Sequence, residues 1–291
     1  MPRVRGPGPG LGEGPHGGQP GGGQVGPAGR GGAGGRERVR RVRGRDRHRG
    51  HGGRFPGARD LPEFWRNLCA GTASLTRLDD DRLVRAGVPR EALADPDYVK
   101  VASLLGGIHL FEPALFGITP RVAEAMDPQL RVLLEICHDA LQDAGYDPYR
   151  FDGRIGMYAG ARNNEYLARY LRANPGFMET IGEARARITN HSDYLSTAVS
   201  YHLGLRGPSV TSLTACSTSL MTVHMACAAL FGNECDMAIA GGVEIPLPAY
   251  RGYRYSEGGG MLAADGVVRP YDAGPPGRCS GRAPAWCCSS G

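Results

Sequence analysis

Cys216 stands inside the run S-V-T-S-L-T-A-C-S-T-S-L-M-T-V-H-M-A-C-A-A-L-F, Ser209 to Phe231. A cysteine becomes a nucleophile as its thiolate. Its neighbours Ala215, Ser217, Thr218 and Ser219 are small and leave room for a substrate. If a helix begins here, its free N–H groups and positive dipole end both favour the thiolate. Cys137, Cys227 and Cys235 carry no such setting and read as small packing hydrophobes. Cys279, Cys287 and Cys288 lack the CxxC or histidine pairing of a zinc site. Asp79-Asp80-Asp81 has no further ligands at calcium-loop spacing and reads as a solvated face or helix cap. Gly258-Gly259-Gly260 is a loop signal without a Rossmann or Walker pattern. His138 beside Cys137 points elsewhere on a helix and reads as a partly exposed histidine.

The elements that must position Cys216 follow from pattern. Ser209 to Ala215 alternates like a half-buried strand. After Cys216, apolar residues recur at helical spacing at Leu220, Val223, Ala226, Cys227 and Leu230, predicting a buried helix. The thiol falls at the sharp turn between them. Phe55 to Leu68 predicts a turn and a short helix. Met126 to Gly145 predicts a helix capped by Asp127, opened by Pro128 and ended by Gly145. Its inner face is Leu130, Leu133, Leu134, Cys137 and Leu141. Arg154 to Gly160 predicts a strand, Asn163 to Leu171 and Tyr194 to Leu203 predict helices, and Met237 to Ile245 predicts a strand buried on both faces. Strands alternating with helices give an α/β protein.

The net charge of +5 on 291 residues is unevenly placed. Met1 to Arg54 holds twelve arginines against Glu13, Glu37 and Asp46, a balance of +9 that leaves −4 for the remainder. Residues 1–51 are rich in Gly, Pro and Arg and predict a disordered segment. An Arg-Gly tail can bind RNA, but this one has no aromatic residue before Phe55 and no regular repeat, so no nucleic-acid partner is expected. There is no apolar run of membrane-spanning length and no secretory signal. A cytoplasmic protein with reduced thiols is expected.

Gly207-Pro208-Ser209 followed by Thr214-Ala215-Cys216-Ser217-Thr218-Ser219-Leu220 resembles the active-site signature of β-ketoacyl synthases, particularly the ketosynthase domains of modular polyketide synthases. Further matches keep the family's order: Arg54-Phe55-Pro56-Gly57-Ala58 with Phe64-Trp65, then Met126-Asp127-Pro128-Gln129 with Arg131, and Asp143-Ala144-Gly145-Tyr146. Gly241-Gly242-Val243, Asp265-Gly266 and Arg269-Pro270-Tyr271-Asp272 complete the series. The resemblance implies the N-terminal half of a thiolase-type layered α-β-α-β-α fold over residues 52–273. It implies that Cys216 accepts an acyl group from acyl carrier protein, followed by decarboxylative condensation with a malonyl-type extender. No cofactor is bound; substrates ride the phosphopantetheine arm of the carrier. The intact family enzyme is expected to be a homodimer.

The family's two catalytic histidines belong to its C-terminal half. The only histidine after Cys216 is His224, eight residues along the same helix and about 12 Å away. His191 and His202 precede the turn and match no family position. Condensation by this chain alone is therefore not expected, and two other readings stand beside it: a non-catalytic remnant or half of a split enzyme, and an RNA-binding protein acting through its tail. Both ends depart from the family abruptly. Ala-Trp-Cys-Cys at 285–288, read two bases later, permits a Val-Leu run. His-Arg-Gly-His-Gly at 48–52, read one base later, permits Ile-Val-Gly-Met. Those are the strands the family carries there, so residues 274–291 are expected to be an out-of-frame tail.

Overall fold

The computed structural model describes residues 48–257 and 263–267. Its helices are α1 (Leu61–Cys69), α2 (Asp80–Arg85), α3 (Arg90–Leu93), α4 (Pro120–Ala125), α5 (Pro128–Asp143), α6 (Pro175–Ile181), α7 (Glu183–Ile188), α8 (Leu195–Leu203) and α9 (Thr218–Phe231). Its strands are β1 (Thr76–Arg77), β2 (Tyr98–Val99), β3 (Val101–Ala102), β4 (Ile155–Ala161), β5 (Ser209–Thr211), β6 (Met237–Val243) and β7 (Tyr253–Arg254). Residues 1–47, 258–262 and 268–291, which include most of the segment expected to be disordered, the Gly258-Gly259-Gly260 loop signal and the whole expected tail, lie outside the described residues. His48 to Gly53 runs without regular structure along α5, where Gly50 is buried against the backbone of Ala140 and Ala144.

The central sheet is parallel, in the order β5-β4-β6. β4 and β6 pair in full, from Ile155↔Met237 to Ala161↔Val243. Parallel neighbours need crossovers, and helices supply them: α6 to α8 between β4 and β5, α9 between β5 and β6. Alternation along the strands then sorts the core. Ile155, Met157, Ala159, Met237 and Ile239 face α5 and α8, while Tyr158, Ala238 and Ala240 face α9. Both β4 and β6 are buried almost throughout, as their unbroken small-apolar runs predict.

α5 forms for the reasons its sequence offers. The Asp127 carboxylate accepts from the Gln129 N–H at 2.8 Å, and Pro128 fills the first position, where no N–H is needed. Leu130, Leu133, Leu134, Cys137 and Leu141 are all buried, each leucine contributing about 1.5–3 kcal/mol. Asp79 caps α2, so the acidic triple is a helix start.

Three expectations change. β5 spans only Ser209–Thr211, because the chain leaves the sheet after Ser212 donates to the Ala159 carbonyl at 3.0 Å. The helix expected over Asn163–Leu171 is reduced to a π-helical turn at Leu167–Leu171. The Asn164 side chain accepts from the Tyr166 N–H and donates to Asp127, holding the backbone before it out of a helix. The buried face of α9 is rotated from the predicted one: Ala226 is buried and Val223 and Leu230 pack against the core as expected, but Leu220 is 75% exposed, and Thr222 and Ala229 are the other buried positions. Small residues win the sheet side because they let the helix approach Gly241 and Gly242 closely. The small antiparallel pairs β1–β3 and β2–β7 were not legible in the sequence pattern. Among the described residues no helix is long and apolar enough to cross a membrane.

Candidate active site

Cys216 sits exposed at the apex of the turn between β5 and α9, within one 3-10 turn, Ala215–Ser217. The turn is built from short polar residues bonding to one another. The Ser217 N–H donates to the Thr214 carbonyl at 3.2 Å, and the Ser217 hydroxyl donates to the same oxygen at 2.8 Å. The Thr214 N–H donates to Thr218 Oγ1 at 3.0 Å. Ala215 takes φ +52°, the left-handed region that costs a non-glycine residue about 1–2 kcal/mol. Because the Ser217 hydroxyl is turned back onto Thr214, it does not cap α9. The Thr218 N–H is taken up by the Ala215 carbonyl, and no side chain caps the N–H groups that follow it beside the thiol.

Beneath the turn lies Gly160 of β4. A Cβ there would fall 2.0 Å from the Ser212 carbonyl oxygen and 2.4 Å from Thr218 Cγ2, so only glycine lets the turn settle on the strand. Cys137 and Cys235 are buried and Cys227 half-buried, as packing residues. Burial pushes the Cys137 thiol up to about 12, which keeps it protonated and unreactive.

The histidines do not gather at Cys216. His224 is exposed two turns along α9, and His191 is exposed beyond α7. His202 Nδ1 lies 3.1 Å from the Phe116 carbonyl, and burial holds its pKa below the ordinary imidazole value. His138 is partly exposed, as its position predicted, and its Nε2 lies 3.2 Å from Gln142 Nε2.

A second polar cluster was missed by sequence reasoning. Between the carboxyl end of β4 and the start of α5 a cavity of about 270 Å³ is lined by Asp127, Gln129, Arg162, Asn164 and Asn190, among others. Gln129 Nε2 donates to the Arg162 carbonyl at 2.8 Å, and Gln129 Oε1 accepts from the Ile245 N–H at 3.1 Å. Asn164 Nδ2 donates to the Asp127 carboxylate at 2.9 Å, and Arg162 pairs with Glu244 at 2.8 Å. Burial raises the Asp127 carboxyl to about 6, outweighing the opposing hydrogen bonds from Gln129 and Asn164 and the charge of Arg131. The sequence announced Asp127 as a cap and as part of a family motif, but not as a member of this cluster, since its partner Asn164 is far along the chain. Cys216 does not line this cavity. Among the described residues no group of three or more His, Cys, Asp or Glu side chains could hold a metal ion.

Residues 49–285 match the family described as "Beta-ketoacyl synthase, N-terminal domain". A phenolphthiocerol/phthiocerol polyketide synthase from Mycobacterium tuberculosis is 42% identical over 229 residues, 77% of this chain and 15% of that protein. Polyketide synthase PksN of Bacillus subtilis is 33% identical over 227 residues, 78% of this chain and 4% of that protein. Among solved structures, ketosynthase twelve of the bacillaene polyketide synthase from Bacillus amyloliquefaciens superposes with a TM-score of 0.72 at 32% identity. That match covers 84% of this chain and 42% of the other. The module 1 ketosynthase of the same organism's bacillaene synthase gives a TM-score of 0.62 at 30% identity, covering 78% and 38%. The chain thus spans a small part of its curated relatives and under half of the solved ketosynthases.

Proposed function

The chain belongs to the β-ketoacyl synthase family of acyl-transferring condensing enzymes, with the α/β fold of a thiolase-like N-terminal half, and we propose that Cys216 is its acyl-accepting nucleophile. The observation that carries this is the turn itself: an exposed thiol, raised on a bonded loop, beside the uncapped N-terminus of α9. The donor is an acyl thioester on the phosphopantetheine arm of acyl carrier protein. The Cys216 thiolate attacks the carbonyl carbon, and N–H groups at the turn support the oxyanion. The carrier thiol leaves with a proton, and the acyl group remains on Cys216. In the intact enzyme a malonyl-type extender then loses carbon dioxide. Its carbanion attacks the Cys216 thioester, a carbon–carbon bond forms, and the thiolate is released.

This chain performs the first half of that sequence. Its one histidine downstream of Cys216, His224, lies on the same helix two turns beyond the thiol, so decarboxylation needs groups from elsewhere. The alternative readings are a non-catalytic remnant and one half of a split ketosynthase. The outer face of α9 is apolar and exposed, with Leu220 75% and Phe231 55% accessible on a helix that carries no charged residue other than the titratable His224, a surface suited to packing against further protein. The frame-shift reading of the two ends, His48–Gly53 and 274–291, is a proposal that DNA sequence across both junctions tests; the family match over 49–285, which includes most of both stretches, counts against it. A homodimer in the cytoplasm is the expected state of the completed enzyme.

The deciding experiment incubates the purified chain with acyl-phosphopantetheine and with acyl carrier protein bearing the same group, then maps the adduct by peptide mass. Acyl transfer to Cys216, lost in Cys216→Ala, supports the proposal. A chain that stays unmodified at Cys216, or whose adduct persists in Cys216→Ala, refutes it. Condensation product from the chain alone would refute the half-reaction assignment.

A further inference from the structure

We propose that Thr218 is the positioning residue for Cys216, a two-pronged clip that closes the turn bearing the thiol. The geometry stands on its own; its meaning for acyl transfer rests on the reading of Cys216 given above. Thr218 Oγ1 accepts from the Thr214 N–H at 3.0 Å, across the turn that contains Ala215, Cys216 and Ser217. Its other branch, Cγ2, is seated over Gly160 of β4 so closely that a Cβ there would come within 2.4 Å. A β-branched side chain has little freedom about χ1, so seating the methyl aims the hydroxyl. One prong anchors to the sheet and the other holds the turn. Serine would keep the acceptor without the anchor; valine would keep the anchor without the acceptor.

The turn needs holding. Ala215 at φ +52° sits in a region that non-glycine residues adopt only when their surroundings impose it. The other ties are the two bonds from Ser217 to the Thr214 carbonyl and the bond from the Thr218 N–H to the Ala215 carbonyl, which the Thr218 variants leave in place. Thr214 and Ser217 are both exposed, so water can replace either bond at little cost in stability. Loss of the clip therefore changes where Cys216 points, relative to the α9 N-terminus, more than it changes whether the chain folds.

The test is peptide-resolved alkylation of the full chain by iodoacetamide, with exposed Cys69 at the end of α1 as internal reference. Thr218→Val is expected to slow alkylation of Cys216 relative to Cys69 by about threefold, as for losing a helix N-terminal interaction, with far-UV CD and melting temperature retained. Thr218→Ser is expected to restore part of the rate, since the acceptor returns without the methyl that aims it. An unchanged Cys216 rate in folded Thr218→Val, or a Thr218→Ser variant as slow as Thr218→Val, overturns the proposal. If Thr218→Val fails to fold, Thr218→Ala, which removes both prongs without adding bulk, decides: slower alkylation of Cys216 in the folded variant supports the clip, and an unchanged rate overturns it. Alkylation needs no acyl donor, so a chain that alkylates as described yet takes no acyl group refutes the acyl-acceptor reading and leaves the clip standing.

Discussion

The Thr222 hydroxyl lies 3.1 Å from the Gly241 carbonyl oxygen and 2.8 Å from the Ser219 carbonyl, with a single proton to divide between them. Thr222 is fully buried, on the face of α9 that meets β6. This one polar contact fixes the height and register of the helix whose N-terminus carries Cys216.

Thr222→Val keeps the volume and removes the hydroxyl. The lost bond is expected to cost about 1–2 kcal/mol. Urea denaturation followed by far-UV CD measures it, and Thr222→Ser should recover part of the loss. Equal stability of Thr222→Val and the parent would mean that helix register does not depend on this bond.

Gly160→Ala tests the seat of the turn. The added methyl would lie 2.0 Å from the Ser212 carbonyl oxygen, which is backbone and cannot swing aside. Overpacking of this kind is expected to cost about 1–3 kcal/mol. It should also lift the turn from β4 and slow alkylation of Cys216 relative to Cys69. A variant with parental stability and parental Cys216 reactivity would refute the close packing.

Much of this architecture was legible in the sequence, for local reasons. α5 announced its cap, its first proline and its buried face within Met126 to Gly145, and β4 and β6 announced themselves as unbroken small-apolar runs. Cys216 was legible as a turn thiol because the change from strand pattern to helix pattern falls on it. The outward face of α9 was not. Its sequence is apolar all round, so periodicity could not say which side meets the sheet, and Gly241 and Gly242, which decide it, lie ten residues or more beyond the end of the helix at Phe231. The Asp127 cluster was hidden for a similar reason: its partners come from the ends of separate strands.

The exposed face of α9 has a solution consequence. Leu220, Met221 and Phe231 present an apolar surface on a helix with no fixed charge to keep it apart from its neighbours. Leu220→Glu with Phe231→Lys is expected to lower light scattering at a given protein concentration. The melting temperature should move little, since exposed substitutions usually change stability by within about 0.5 kcal/mol. Unchanged scattering would show that this face does not drive association.

Asp127 gives the chain a pH dependence of unusual sign. Its carboxyl titrates near 6 when folded against an ordinary 3.8, because burial penalises the charged form. A raised folded pKa means that the native state holds the proton more tightly than the unfolded chain. The resulting stability is fully present below about 3.8 and is lost as pH rises to about 6. The loss amounts to roughly 3 kcal/mol. Asp127→Asn removes the titration and therefore the slope. The variant has its own fixed cost: the new amide must still accept from the Gln129 N–H, and its NH₂ then faces Gln129 Nε2, itself a donor. Gln129 cannot simply flip, because its Oε1 accepts from the Ile245 N–H. That cost does not change with pH. The difference in urea midpoint between parent and Asp127→Asn, measured at pH 4, 5, 6 and 7, isolates the carboxyl from every other titrating group. The parent is expected to lose ground steadily against the variant from pH 4 to 6 and to hold a constant difference above that. A difference that is flat throughout, or that moves in the parent's favour as pH rises, would show that Asp127 is not held protonated by its burial.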